Sequence, residues 1–118
     1  MSGNGQRLLL HLEPGLRQAV DGDDVYFVEA KADDSEVRLR GAKALRDVRP
    51  IEVLAKAFAG HGFVRTHRSY LVNVRHVKLV RRRKRGNDWE VVFEPPVNAV
   101  LPVSRSALRA LWRALGED

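Results

Sequence analysis

A chain of 118 residues fits one domain with a single small core, and 44% hydrophobic against 31% charged is the balance of a folded soluble protein, not a disordered one. There is no cysteine, which excludes disulfides and thiolate metal sites and suits a reducing cytoplasm. Apolar runs such as Leu8 to Leu10 are far too short to cross a bilayer, and no signal-peptide pattern opens the chain, so a cytoplasmic protein without a membrane segment is expected.

In chain order, residues 1–6 read as a flexible Gly-rich tail and 7–118 as one domain. Arg7 to Glu13 is a strand ended by Pro14-Gly15, and Leu16 to Val20 is a second short strand. Asp21 to Asp24 is a turn, and Val25 to Ala30, β-branched and aromatic, is the clearest strand of the first half. An acidic loop from Ala32 to Glu36 precedes Val37-Arg38-Leu39-Arg40, which alternates with period two. Gly41 leads to a strand from Lys43 to Val48. Pro50 suits the first turn of a helix whose stripe is Ile51, Leu54, Ala55 and Phe58, closed by Gly60 and Gly62.

Phe63 to Asn73 mixes strand formers with a dense polar centre. Val77 to Val80 begins a strand that runs into five cations, Arg81 to Arg85, and returns through Gly86-Asn87-Asp88 as a hairpin in which Trp89, Val91 and Phe93 alternate with Glu90, Val92 and Glu94. Pro95-Pro96 breaks it before a last strand, Ala99 to Val103. Ser104 is the expected N-cap of a terminal helix reaching Leu115, with Leu108, Leu111, Trp112 and Leu115 on one face. The expected architecture is mainly β, with many short strands and two helices.

Charge is segregated. Residues 1–60 carry 9 Lys+Arg against 10 Asp+Glu, and residues 61–118 carry 12 against 5, so the second half holds the whole formal excess of +6. A basic surface of this kind attracts polyanions, because neutralised phosphates release counterions. Catalysis finds no support: there is no cysteine nucleophile, Gly-rich phosphate loop or framed carboxylate pair, and His61, His67 and His76 lack zinc spacing. Neither a metal nor a cofactor is expected.

Three segments suit DNA. Arg65-Thr66-His67-Arg68-Ser69 concentrates hydrogen-bond donors between apolar anchors, and an arginine fork matches phosphate or the O6/N7 edge of guanine. Arg105 opens the last helix, where a cation opposes the helix dipole by roughly 0.3–1 kcal/mol, and Arg109 follows one turn on. The loop Lys31 to Glu36 is the third, although its carboxylates outnumber Lys31. The run Arg81 to Arg85 divides between two strand faces, leaving a phosphate clamp and a solvated hairpin tip both open. Trp89 and Trp112 read as core.

Phe63-Val64-Arg65-Thr66-His67-Arg68-Ser69-Tyr70-Leu71-Val72-Asn73, followed by Leu101-Pro102-Val103-Ser104-Arg105 before a terminal helix, resembles the LytTR family of bacterial DNA-binding output domains. The resemblance runs from about Arg7 to Leu115 and takes in Asp23 to Ala30. It implies an elongated set of three small antiparallel sheets, about ten short strands, with two short helices. It also implies reading of successive major grooves through loops, with Arg68, Arg105 and Ser35 at the base-reading positions. Ser35 stands among acidic residues where some members place a histidine, and carboxylates there accept from cytosine N4 but repel phosphates. Phosphate contacts are expected from Lys31, His67, Ser69 and Arg109. The expected partners are double-stranded DNA and a second copy of the chain on tandem repeats. A regulating receiver or sensor domain is expected outside this sequence, in a two-component transcription regulator. The other readings are an RNA-binding basic domain, with Tyr26, Tyr70 and Trp89 as stacking candidates, and an interaction module of the same fold that has lost DNA affinity.

Overall fold

The structure is a computed structural model that describes residues 6–41, 43–84 and 88–117. The expected tail, apart from Gln6, and the hairpin residues Arg85, Gly86 and Asn87 lie outside the described residues. Among the described residues ten strands form three antiparallel sheets, and two short α-helices complete the fold, as expected. The body measures 45 × 35 × 26 Å.

The central layer is a five-stranded sheet of order β5-β4-β3-β7-β6, built from β3 (Val25–Lys31), β4 (Asp34–Leu39), β5 (Ala44–Asp47), β6 (Phe63–His67) and β7 (Tyr70–Asn73). Its middle strand reads as a continuous apolar run because both of its faces are covered. Val25 and Val28 join one core cluster; Tyr26 and Phe27 join the other, across a register shift between Val25 and Phe27 that lets adjacent residues face the same way.

One face carries the hairpin of β1 (Arg7–Glu13) and β2 (Leu16–Asp21) together with helix α1 (Ile51–Ala57). Leu8, Leu10, Ile51, Leu54 and Phe58 fill this side and are almost wholly buried. Pro50 sits at the cap position of α1 rather than inside its first turn, and Gly60 and Gly62 both take φ +85, the left-handed conformation that ends helices. The other face carries a three-stranded sheet of order β10-β9-β8, made of β8 (Val77–Arg82), β9 (Trp89–Phe93) and β10 (Val100–Val103), with helix α2 (Leu108–Ala114). Val91, Phe93, Leu101, Val103 and Leu111 close this second cluster.

Two buried polar knots tie the layers. The Asp47 carboxylate is fully buried and accepts from the His11 amide at 2.9 Å, the Arg49 amide at 3.0 Å and the Arg49 guanidinium at 2.9 and 2.8 Å. Burial alone would raise its pKa, but the Arg49 side chain and the two backbone donors outweigh that and hold it below the usual carboxylate range. The second knot is His76, stacked on Tyr26 at 4.0 Å, with Nδ1 2.8 Å from Glu94 Oε1 and Nε2 2.6 Å from the Asp23 carbonyl. Asn73 reinforces it, donating to the Val25 carbonyl at 2.9 Å and the Gly22 carbonyl at 3.3 Å while accepting from the Arg75 amide at 3.1 Å.

The structure departs from the sequence reading at two places that bear on function. The acidic segment is not a five-residue loop: Lys31 pairs with Asp34, so the connection is the two-residue turn Ala32-Asp33, and Ser35 and Glu36 belong to β4. The terminal helix does not run regularly from Ser104. A 3-10 turn, Arg105–Ala107, precedes α2, and the Ser104 side chain caps no amide.

Candidate nucleic-acid interface

The antiparallel pairing of β3 with β7 sets the site's position. Glu29 faces Tyr70, and the Ala30 amide donates to the Ser69 carbonyl at 2.9 Å, so the β6–β7 turn and the β3–β4 turn emerge side by side at one end of the central sheet. The third segment is brought to the same place from the far end of the chain. The Ser104 amide donates to the Thr66 carbonyl at 2.8 Å, and the Ser104 hydroxyl lies 3.3 Å from the same oxygen. Residues 66–69 and 104–105, thirty-eight apart at their tie, thus form one surface.

Within Arg65 to Ser69 the residues divide by task. Arg65 turns back on its own strand, donating through Nε to the His67 carbonyl at 3.0 Å and through Nη2 to the Arg68 carbonyl. Thr66 is fully buried, and its hydroxyl has no partner among the described residues. His67 Nδ1 accepts from the Ser69 amide at 3.1 Å, closing the turn, while its ring meets Tyr70 at 5.8 Å. Arg68 alone projects, exposed at the tip of a turn fixed by three hydrogen bonds. A rigid support of this kind suits recognition, because a fork held in place loses less freedom on binding.

Arg105 is exposed on the 3-10 turn and lines, with His67, Arg83, Trp89 and Ser104, a hollow of about 300 Å³. Arg109 and Arg113 continue its line at four-residue intervals along a groove of about 560 Å³ that Leu108 and Trp112 also border. Sequence reasoning named Arg109 and passed over Arg113, although the spacing of Arg105, Arg109 and Arg113 was its signal. Arg83 was passed over individually, because only a return strand could show that it faces Arg105.

Ser35 does not stand where it was expected. It is fully buried in β4, opposite Asp47, and its hydroxyl donates to the Arg49 carbonyl at 2.8 Å. A side chain with no exposed surface cannot touch a base, so Ser35 belongs to the Asp47 knot and not to the interface. The exposed positions of this end are Lys31, Ala32 and Asp33. The acidity that weighed against DNA is partly cancelled, since Arg46 pairs with Asp34, while Lys31 lies 3.4 Å from Glu29.

Trp89 and Trp112 are half-buried, Trp89 packing against the second core cluster, and they meet edge to face at 5.4 Å beside the interface. Glu90, which alternates with Trp89 and Val91 along β9, is 7% exposed, because Arg81 and Arg83 fold over it at 2.6 and 3.0 Å. The hydrogen bond from Arg81, working against the carboxyl's burial and helped by Arg83, holds Glu90 below the usual carboxylate range. Among the described residues no cluster of His, Asp and Glu has the arrangement of a metal site, and no helix is long and apolar enough to cross a membrane.

An exposed arginine on a braced turn, a second arginine tied beside it, and a row of cations beyond define a surface for a polyanion on a mainly β domain. The class is that of a DNA-binding domain. The family model of the LytTR DNA-binding domain matches residues 18–116, and the chain belongs to that family. Among solved structures, the chain is similar to the LytTr DNA-binding domain of a Bacillus cereus protein described as a methyl-accepting/DNA response regulator. The likeness has a TM-score of 0.72 at 21% identity and covers 93% of this chain and 96% of that one, a shared fold. No curated protein matches the chain.

Proposed function

We propose that this domain binds duplex DNA in a sequence-specific way as the output domain of a bacterial transcription regulator in the cytoplasm, reading major grooves through loops. The observation that carries the reading is the pairing of Arg68 with Arg105: two exposed guanidiniums on separate segments, joined through Ser104 and Thr66. Each has the fork that matches guanine O6/N7. His67, Ser69, Lys31 and Arg109 sit around them and supply phosphate contacts that fix register. Two copies on tandem repeats would place successive copies along one face of the duplex, half-sites lying about 10–10.5 bp apart. A receiver or sensor segment carries the regulating signal.

The single-strand RNA reading needs exposed rings. Tyr26 is fully buried under His76, and Trp89 is engaged by Arg82 at 5.6 Å and by Trp112, so the stacking platform that reading requires is poorly supplied.

Selection of bound sites from random duplex DNA tests the proposal. Enrichment of a repeated motif with a spacing near one helical turn supports it. A bound pool that stays random, with the same affinity for every duplex, contradicts specific reading.

A further inference from the structure

A second set of cations, Arg81 to Lys84, lies on the outgoing side of the β8–β9 hairpin and takes no part in the contacts assigned above. Strand alternation would scatter such a run over two faces. Here both parts are pinned to the return strand. Glu90 collects Arg81 at 2.6 Å and Arg83 at 3.0 Å, and the Arg82 guanidinium lies over the Trp89 ring at 5.6 Å. Trp89 in turn meets Trp112, which borders the groove holding Arg105, Arg109 and Arg113. Arg83 shares its hollow with Arg105 and His67. The hairpin's charge is therefore continuous with the surface around the base-facing arginines.

We infer that the β8–β9 hairpin is a phosphate arm. Arg82, Arg83 and Lys84 lie along the backbone of the duplex beside the base-reading turns, and Glu90 sets the arm's strength by neutralising part of the charge of Arg81 and Arg83. The inference rests on the duplex-DNA reading proposed above. Two guanidiniums on one nearly buried carboxylate keep a net single positive charge and a fixed position. That fixed position lowers the ordering cost of binding, but phosphates must compete with the carboxylate for the same donors. Removing its charge while keeping its shape frees the arm.

The test compares the wild-type domain with the Arg82→Ala/Lys84→Ala double variant, Lys84→Ala alone, and Glu90→Gln. Each is titrated with a selected duplex and a duplex of shuffled sequence between about 50 and 200 mM salt, the range over which counterion release is read. The double variant should weaken binding to both duplexes by the same factor and flatten the log–log salt slope by about 1 to 2, at about 0.9 per lost phosphate contact. Lys84→Ala, at an exposed position, should flatten it by about 1 and guards against a folding defect in the double variant. Glu90→Gln should tighten both complexes and steepen the slope, which a purely structural carboxylate would not do. Unchanged slopes, a loss confined to the selected duplex, or weaker binding by a folded Glu90→Gln variant would overturn the arm. The result is separable from base reading, because the shuffled duplex reports the arm even where no preferred site exists.

Discussion

Asp47→Asn is the sharpest probe of the scaffold beneath the interface. Each carboxylate oxygen of Asp47 accepts two hydrogen bonds: Oδ1 from the Arg49 amide and Nε, Oδ2 from the His11 amide and Arg49 Nη2. An asparagine keeps the shape but must turn its NH2 toward one of these donor pairs in either orientation, so two donors lose their acceptor and the Arg49 charge loses its partner. Unmet buried groups cost roughly 1–3 kcal/mol each, so a loss of about 3 kcal/mol is expected. For a domain of this size that is about 10 °C in Tm. The effect has a pH signature. A depressed carboxylate contributes stability above its ordinary pKa of 3.8 and loses it as pH falls through the lower folded value. Burial, then the cations Arg49 and Arg17, hold His11 below its ordinary 6.5, so the unfolded chain takes up a proton near that pH before the folded one does, which erodes stability in mild acid for both proteins. Melting curves followed by circular dichroism at pH 7 and near pH 3 decide the matter. The gap between wild type and variant should be wide at neutral pH and narrower near pH 3, where Asp47 of the unfolded chain takes up its proton before that of the folded one. A variant as stable as wild type at pH 7, or a gap that stays constant to pH 3, would refute the reasoning.

Ser35→Ala removes the hydroxyl bond to Arg49 and should cost about 1 kcal/mol in a melt while leaving base preference unaltered; a changed preference would return Ser35 to the interface. Thr66→Val replaces a buried hydroxyl without a described partner by a methyl of equal size, so Tm should rise by a few degrees with DNA binding retained. Arg65→Ala should weaken DNA binding more than it lowers Tm, since it frees the backbone under Arg68; equal affinity in a filter-binding assay would show that the brace is dispensable.

Much of this fold was legible in the residues. The alternation of Leu8 and Leu10 against Leu9, the apolar run of Val25 to Val28, and the stripe of Ile51, Leu54 and Phe58 each matched a strand or helix that the structure contains. The failures share a cause. Asp34, Ser35 and Glu36 looked like a loop because charged residues are poor strand formers, but their partners Arg46 and Arg49 lie on the next strand and its continuation, out of reach of any local pattern. The burial of Glu90 was likewise hidden, since only the hairpin register brings Arg81 opposite it. In the interface, the segment around Arg68 was visible as a dense donor cluster, but its division into brace, buried residue and projecting arginine depends on where Ser104 returns to Thr66.

The central claim is that Arg68 and Arg105 each read a separate part of the site. It is tested most directly by measuring the affinity of wild type, Arg68→Ala and Arg105→Ala for a selected duplex and for each single base-pair change in it, at one fixed salt concentration. Each variant should lose roughly 1–3 kcal/mol on the selected duplex and lose discrimination at one position, a different one for each arginine. Uniform weakening on every duplex, with all base preferences intact in both variants, would contradict the claim and make both arginines phosphate contacts.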